Sequence, residues 1–264
     1  MVNRASIVQW RAKAPWNSNE QVEQDLIICR ALTAIFSDEF LTTQLAFRGG
    51  TALHKLYLTP QRRYSEDIDL VQINPGPIKP ILMRLGEVLD FLPGKNVKQK
   101  RYNNTMTFRM ESEIPPVVPI RLKIEINCVE HFNELGLIKM PFSVENSWFT
   151  GSCQLTTYHL EELLGTKLRA LYQRKKGRDL FDLYKAITDK VVDTDLLLRC
   201  YNRYMDFSVT KKPTYKQFVL NMEDKMRDPD FLGDVENLLH PDETFDMQRA
   251  YLVVKEEIID KLIK

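Results

Sequence analysis

The sequence has few cysteines, and their spacing is not that of a cysteine framework. The four cysteines are widely separated and form no CxxC pair: Cys29, Cys128, Cys153 and Cys200. This pattern argues against a disulfide-stabilised secreted domain and against a cysteine-based zinc site. We therefore expect reduced thiols in mostly apolar surroundings.

Long apolar runs are also missing. No apolar stretch approaches the roughly 18 residues that a membrane-spanning helix needs. The N-terminal sequence MVNRASIVQWRAKAPW lacks the continuous apolar segment of a signal peptide. We expect a cytoplasmic protein without a membrane partner.

Neither sign of charge predominates, because 37 lysines and arginines face 36 acidic residues. A net charge of +1 gives no global reason to expect a nucleic-acid partner, so any such attraction has to come from a local cluster. The one concentrated basic segment is residues 174–178, RKKGR. With 264 residues that are 44% hydrophobic, the chain is long enough to bury a sizeable core.

The order of hydrophobic patterns predicts two parts. Up to about residue 150, the patterns read helix, strand, helix, strand, helix, strand, strand, and the first helix opens with a capping box at Ser18 and Gln21. From Thr157 onward the chain reads almost entirely helical. We expect an α+β domain over residues 1–150 and a helical domain over residues 151–264.

A glycine pair lies between the strand pattern QLAFR and the helix pattern TALHKLYL. Glycines at this point let the backbone approach a ligand, and the N–H groups of the helix start favour an anion such as a phosphate. We assign Gly49, Gly50 and Thr51 to phosphate binding. The ordinary alternative is a tight turn without a ligand.

Asp67 and Asp69 lie two apart in the strand pattern DIDLVQI, so their side chains share one face of the strand. Adjacent carboxylates repel unless a cation lies between them, and Mg²⁺ prefers such oxygen ligands. Ser65 and Arg63 are possible phosphate donors, and Lys55 adds a positive charge unless it is simply solvated. The alternative for the aspartate pair is a solvated strand face.

A second group of charged residues follows in the helical part. Lys167 flanks an apolar helical stripe, so its stem can be partly buried while its ammonium reaches a cleft. Arg178, Asp179 and Asp182 fall within about one turn of the next helix. The alternatives are a solvated lysine and a surface salt bridge.

The segments GGTALHKLY, RYSEDIDLV and TKLRALYQRKKGRDLFDLY together resemble the AbiEii toxin family, nucleotidyltransferase-like proteins that include the MenT toxins. The resemblance implies a polymerase-beta-type nucleotidyltransferase fold, with a mixed sheet flanked by helices, followed by a C-terminal helical bundle. It also implies a type IV toxin-antitoxin system. Such a toxin uses a nucleoside triphosphate and Mg²⁺, and some relatives add nucleotides to the 3′ end of tRNA.

The resemblance implies a role for each group of residues. The catalytic residues are Asp67, Asp69, Lys167 and Asp182, and Asp67 and Asp69 also hold the metal. Glu125, on the polar face of the strand IRLKIEIN, is the candidate third metal ligand, with a plain surface glutamate as its alternative. The nucleotide-binding residues are Gly49, Gly50, Thr51, Lys55, Arg63, Ser65, Arg178 and Asp179.

The remaining expectations concern partners and acceptors. The basic loop of residues 174–178 would contact an RNA backbone, and a cognate antitoxin would bind the toxin. One alternative keeps the fold but transfers the nucleotide to a protein or a small molecule. Another is a module that binds a nucleotide without turnover.

Overall fold

The computed structural model describes residues 2–100 and 102–263. Its backbone divides into two compact units, with the division after Tyr158. The sequence analysis placed a boundary near residue 150. The difference arises because Thr150–Tyr158 forms a strand of the first unit's sheet.

The first unit alternates helices and strands. Its helices are α1 Arg4–Trp10, α2 Asn19–Ser37, α3 Leu41–Gln44, α4 Gly49–Leu56 and α5 Ile78–Val88. Its strands are β1 Leu45–Arg48, β2 Asp67–Gln72, β3 Asn96–Lys98, β4 Asn103–Glu111, β5 Pro119–Asn127, β6 Leu137–Glu145 and β7 Thr150–Tyr158.

The strands form one mixed sheet in the order β3-β4-β5-β2-β1-β7-β6. β2 runs parallel to β5 and β1 runs parallel to β7, whereas the other neighbours are antiparallel. β2 therefore lies at the centre of the sheet, between β1 and β5. The strand that carries Asp67 and Asp69 is thus held from both sides.

Helix α2 packs against β5, β6 and β7. Ser18 and Gln21 form the expected capping box at its start. The Gln24 amide donates to the backbone carbonyls of Glu66 and Arg121, at 3.1 and 3.0 Å. These two bonds attach α2 to the segment before β2 and to β5, so the helix helps to fix the start of β2.

Two strands that the sequence did not predict, β6 and β7, complete one edge of the sheet. β6 contains Pro141, which cannot donate a ladder hydrogen bond and is tolerated because β6 is the edge strand. β6 alternates apolar residues such as Met140 and Phe142 with exposed residues, and Val144 is its one buried side chain. The long helix expected from Thr157 begins at Leu160, because Thr157 and Tyr158 belong to β7.

The second unit is helical. Its elements are α6 Leu160–Gln173, α7 Gly177–Asp189, α8 Thr194–Ser208, α9 Tyr215–Lys225, α10 Pro229–Gly233 and α11 Met247–Glu257, with 3₁₀ turns at Glu236–Leu238 and Ile259–Ile263. α6 crosses α8 at Gly165, where an added Cβ would lie 2.8 Å from the Tyr201 backbone nitrogen. Glycine at this position permits the close helix crossing.

The fold class expected from the sequence is confirmed: a mixed sheet flanked by helices is followed by a helical unit. None of the helices within residues 2–100 and 102–263 combines the length and apolar character that crossing a membrane requires.

Candidate functional site

Gly49 forms the turn between β1 and α4 and has a backbone φ of +82°, which favours glycine. A Cβ at this position would lie 2.8 Å from Cγ of Asp69 and closer still to its carboxylate oxygen. The residue before it, Arg48, is the register partner of Asp69. The absence of a side chain at Gly49 therefore lets the backbone at the start of α4 lie directly against the Asp69 carboxylate.

Helix α4 begins at this turn without a capping side chain from its N-cap residue, Arg48. The Arg48 guanidinium instead forms an ion pair with Glu130. The first N–H groups of a helix lack intrahelical partners and carry partial positive charge. Asp69 thus lies beside a helix start whose polarity suits anionic groups.

Thr51, in the first turn of α4, connects the helix to the start of β2. Its hydroxyl donates to the Asp67 backbone carbonyl, and its oxygen lies 2.8 Å from the Ser65 hydroxyl oxygen. Because the single Thr51 proton goes to the carbonyl, the Ser65 hydroxyl is the donor to Thr51. Thr51 and Ser65 therefore fix the backbone beneath the aspartates, and the Ser65 proton is already engaged.

Asp67 and Asp69 lie on the face of β2 opposite the buried Ile68 and Leu70. In the parallel neighbour β5, Lys123 is the register partner of Asp67 and Glu125 is the partner of Asp69. The Lys123 ammonium lies 2.8 Å from the Asp67 carboxylate and 3.3 Å from that of Glu125. Three carboxylates and one ammonium thus share one patch of the sheet.

The electrostatics of this patch disfavour charge on Asp67. Burial raises the pKa of Asp67 to about 6, with a further upward contribution from the charge of Asp69. The hydrogen bond and charge of Lys123 act in the opposite direction and limit the rise. For Lys123, burial acts to lower the pKa, but the hydrogen bond and charge of Asp67, together with Glu125, raise it above the usual value.

The carboxylates of this patch can be compared with the ligands that a divalent cation requires. In the part of the chain that the structure describes, no group of three or more His, Cys, Asp or Glu side chains is arranged to hold a metal ion. Mg²⁺ sites often use only one or two carboxylates and complete their shell with water and substrate phosphates. Asp67 and Asp69, side by side on one strand face, fit that donor set.

Two predicted phosphate contacts require correction. Lys55 is buried, and its ammonium lies 2.9 Å from Asp25, 3.2 Å from the Cys29 sulfur and 3.1 Å from the Gln61 amide oxygen. Arg63 is buried as well and donates to the Tyr64 carbonyl at 2.9 Å. Both cations support the packing of the first unit, because their charged ends are held inside it.

The charged residues predicted in the helical part do come together within the second unit. The Lys167 ammonium lies 3.0 Å from Asp179 and 2.7 Å from Asp182, and both carboxylates are fully buried. Arg174 holds Asp179 with two further hydrogen bonds, of 2.6 and 2.7 Å. Lys167 and Arg174 thus balance the two aspartates. Burial opposes ionisation of Asp179, but Lys167 and Arg174 hold its pKa below the usual value.

The predicted RNA-binding loop is a charge-balanced surface. Arg174 is paired with Asp179, as described above. Lys175 pairs with Asp228 at 2.6 Å, and Lys176 pairs with Asp234 at 3.0 Å. Arg178, predicted to bind the nucleotide, also lies next to Asp234, at 3.8 Å. The sequence suggested an unbalanced basic cluster because Asp228 and Asp234 are about fifty residues away along the chain.

Sequence reasoning missed two cations that organise these clusters, Lys123 and Arg174. Lys123 lies two residues before Glu125 in IRLKIEIN, so its shared face with Glu125 was readable. Its contact with Asp67 depends on the pairing register of β2 and β5, which cannot be deduced from the sequence pattern of a single strand. Arg174 was visible only as part of the basic run, and its partner Asp179 becomes apparent once α7 begins at Gly177.

Comparison with solved structures defines the class of the fold. MenT4, the nucleotidyltransferase toxin Rv2826c of Mycobacterium tuberculosis H37Rv, is similar over 100% of this chain and 98% of its own, with a TM-score of 0.61 and 18% identity. JHP933 of Helicobacter pylori covers 93% of both chains, with a TM-score of 0.57 and 18% identity. A putative nucleotidyltransferase from H. pylori covers 93% of this chain and 96% of its own, with a TM-score of 0.54 and 19% identity. The chain therefore has the fold of these nucleotidyltransferase-like proteins.

The family follows from the sequence itself. The model of the AbiEii family, described as nucleotidyl transferase AbiEii toxin of the type IV toxin-antitoxin system, matches residues 30–251. The chain belongs to this family and is a nucleotidyltransferase, as the sequence analysis anticipated. The family implies a nucleoside triphosphate substrate and an antitoxin partner. No curated protein shows significant similarity to the chain.

Proposed function

We propose that the protein is a cytoplasmic, Mg²⁺-dependent toxin that transfers a nucleotide from a nucleoside triphosphate to the 3′ end of tRNA. The observation that carries the proposal is the close approach of the Gly49 backbone to the Asp69 carboxylate. This contact brings a helix start that its N-cap residue does not cap, and whose polarity suits phosphate, next to the two aspartates of β2.

Asp67 and Asp69 are the residues that would hold the divalent cation. Glu125, the predicted third ligand, does not form a three-carboxylate metal site with them in the described residues, and its carboxylate is paired with Lys123. When bound, such an ion neutralises triphosphate charge and stabilises the charge that develops during transfer. The rigidity of the two aspartates comes from the chain itself: β2 is paired on both sides, and Thr51 and Ser65 fix its first residue. Carboxylates held in this way need little reorganisation when the substrate binds.

The triphosphate would lie along the start of α4, where the backbone N–H groups of Gly50 and Thr51 are directed toward its oxygens. Transfer of a nucleotidyl group depends mainly on positioning and charge stabilisation, since the protein forms no covalent bond of its own in the proposed scheme. Gly49 contributes by allowing close approach. Ser65 contributes by orienting Thr51 and by turning toward a phosphate if that hydrogen bond is exchanged.

As the family resemblance implies, Lys167 is proposed as the catalytic lysine that neutralises charge as the pyrophosphate leaves. An ammonium has three N–H donors, and Asp179 and Asp182 accept from Lys167 at two of them. The third donor is the one assigned to a substrate oxygen. Asp182 and Asp179 then orient Lys167, and Arg174 keeps Asp179 ionised.

The choice of tRNA as acceptor is supported by the family resemblance. The loop of residues 174–178 gives it less support than the sequence suggested, because its cations are paired with Asp179, Asp228 and Asp234. Contact with RNA would require exchange of these ion pairs for phosphates. Lys175 and Lys176 are about half exposed and such pairs contribute little, so their exchange is energetically accessible. Arg174 would keep its pair with the buried Asp179.

The test is transfer of label from an α-labelled nucleoside triphosphate, with tRNA, total protein and small-molecule acceptors offered in parallel. We expect label in tRNA with the wild type and at least about a hundredfold less with Asp67→Asn. Glu66→Gln, which changes the exposed neighbouring carboxylate, should behave as the wild type. Full activity of Asp67→Asn would contradict the metal role, and label only in protein or a small molecule would replace tRNA as the acceptor.

A further inference from the structure

Lys123 occupies an unusual position for a cation in a site that is expected to bind another cation. Its ammonium lies between the carboxylates of Asp67 and Glu125, at 2.8 and 3.3 Å. The β2–β5 register determines this placement, because Lys123 is opposite Asp67 and Glu125 is opposite Asp69. The contact is therefore built into the sheet.

The charge balance of the patch depends on Lys123. Asp67, Asp69 and Glu125 share one face of the sheet, and like charges at this spacing repel one another. Asp69 contacts the α4 start, whereas the cation in direct contact with Asp67 and Glu125 is Lys123. The Lys123 ammonium thus occupies the position to which the Asp67 and Glu125 carboxylates would attract a divalent cation.

Lys123 is also able to leave. Its side chain is about one quarter exposed, at 26%, and a lysine ammonium is carried on four flexible methylene groups. Rotation of this stem would move the ammonium toward solvent without any change in the backbone of β5. An ion pair with this exposure is weak enough to exchange with a better partner.

We propose that Lys123 is a positioning residue that acts as an exchangeable counter-cation for Asp67 and Glu125, so that the free protein binds a divalent cation weakly and the nucleotide-bound protein binds it strongly. The inference rests on the proposed function, because it assumes that Asp67 helps to hold the metal. The triphosphate supplies additional oxygen ligands for the ion, so that the ion displaces the ammonium from the carboxylates and the ammonium turns toward the triphosphate or solvent. Metal and nucleotide are thereby bound together.

The test is Mn²⁺ binding to the full chain, measured by electron paramagnetic resonance without nucleotide and then with α,β-methylene ATP. Lys123→Met removes the charge and keeps the stem, and it should tighten Mn²⁺ binding without nucleotide by about tenfold or more. Lys123→Arg, which keeps the charge, should bind Mn²⁺ as weakly as the wild type. The nucleotide should strengthen Mn²⁺ binding less in Lys123→Met than in the wild type.

Arg121→Met is the matched control, since Arg121 is an exposed cation two residues earlier on the same face of β5. Equal tightening by Arg121→Met and Lys123→Met would overturn the inference, because it would show a general field effect. Unchanged or weaker Mn²⁺ binding by a folded Lys123→Met would overturn it as well. The unfolding transition of each variant, followed by circular dichroism, identifies those that are folded.

Failure of the inference is distinguishable from failure of the proposed function. If the wild type transfers label with Mn²⁺ present while Lys123→Met binds the ion no more tightly, only the role of Lys123 is wrong. If neither protein binds Mn²⁺ even with α,β-methylene ATP, the metal role of Asp67 is wrong and the inference falls with it.

Discussion

At the scale of single residues, the candidate site depends on one glycine that satisfies two requirements together. Gly49 has a backbone φ of +82°, and it also leaves room for the Asp69 carboxylate. Gly136 has a similar φ of +89° but has open space around the position of an added Cβ. A substitution at Gly136 therefore measures the backbone strain alone, whereas the same substitution at Gly49 adds the collision with Asp69.

Gly49→Ala should destabilise the protein more than Gly136→Ala. The left-handed conformation costs an alanine about 1–2 kcal/mol at either position. The collision with Asp69 should add at least about 1 kcal/mol at position 49. Urea unfolding of the two variants measures the difference, and nucleotidyl transfer should fall sharply only in Gly49→Ala. Equal unfolding free energies for the two variants would show that the contact with Asp69 is easily relieved.

Lys167 belongs to a buried charge cluster, so its substitution is expected to lower stability as well as activity. Its ammonium is held by two fully buried aspartates. Removal of one partner from a buried ion pair leaves an uncompensated charge, which is far more costly than loss of an exposed pair. Loss of activity in a Lys167 variant therefore has to be separated from loss of folding.

Lys167→Met should lower the free energy of unfolding by about 3–5 kcal/mol. Lys175→Met, which removes a neighbouring exposed cation paired with Asp228, should leave the unfolding free energy nearly unchanged. Chemical denaturation of both variants beside the wild type makes the comparison. A Lys167→Met protein as stable as the wild type would mean that Asp179 and Asp182 do not need its charge.

At the scale of secondary-structure elements, the end of α6 has an uncommon form of stabilisation. The Lys225 ammonium, from α9, donates to the carbonyls of Leu171 and Tyr172 in the last turn of α6. Lysine near a helix C-terminus satisfies carbonyls that have no intrahelical partner. Burial nevertheless lowers the pKa of Lys225 to about 8, against a smaller upward effect of Asp179.

This pKa predicts a pH dependence with a defined sign. Between about pH 8 and the usual lysine value of 10.5, the unfolded chain keeps the Lys225 proton and the folded chain has lost it. Because the unfolded state then binds more protons, the contribution of Lys225 to stability increases as pH rises through this range. Below about pH 8 both states are protonated, and the contribution is constant.

The measurement is the free energy of unfolding of the wild type minus that of Lys225→Met, at pH values from 7 to 10. We expect this difference to be flat up to about pH 8 and to increase above it. Subtraction removes the effect of cysteines and tyrosines that also titrate in this range. Parallel profiles for the two proteins would place the Lys225 pKa near its ordinary value.

The elements that carry the first-unit site were readable from the sequence because their signals are local. Alternation in DIDLVQI set the faces of Asp67 and Asp69, and the glycine pair marked the start of α4. β6 and β7 were not predicted, although Met140, Phe142 and Val144 of β6 alternate with exposed residues. Pro141 obscures this strand pattern, because proline is rare within a strand. The pairing of Lys55 with Asp25 was also unreadable, because it joins α4 to α2 across thirty residues of sequence.

At the scale of the whole molecule, family membership and fold agree on a nucleotidyltransferase, while the acceptor and the metal are proposals. The two units contain different charged groups. The first supplies carboxylates and a helix start, and the second supplies a cation held by buried aspartates. Strand register and helix contacts determine both groups, which explains why Lys123 and Arg174 emerged only from the structure.

The proposed function requires Asp67 and Asp69 to bind a divalent cation together with the triphosphate at the start of α4. Its most direct test is a crystal structure of the protein with α,β-methylene ATP and Mn²⁺, with the ion located by anomalous scattering. We expect an anomalous peak within bonding distance of the Asp67 and Asp69 carboxylates and of phosphate oxygens beside Gly49 and Gly50. A well-ordered nucleotide elsewhere, or one at α4 with no peak at the aspartates, would contradict it.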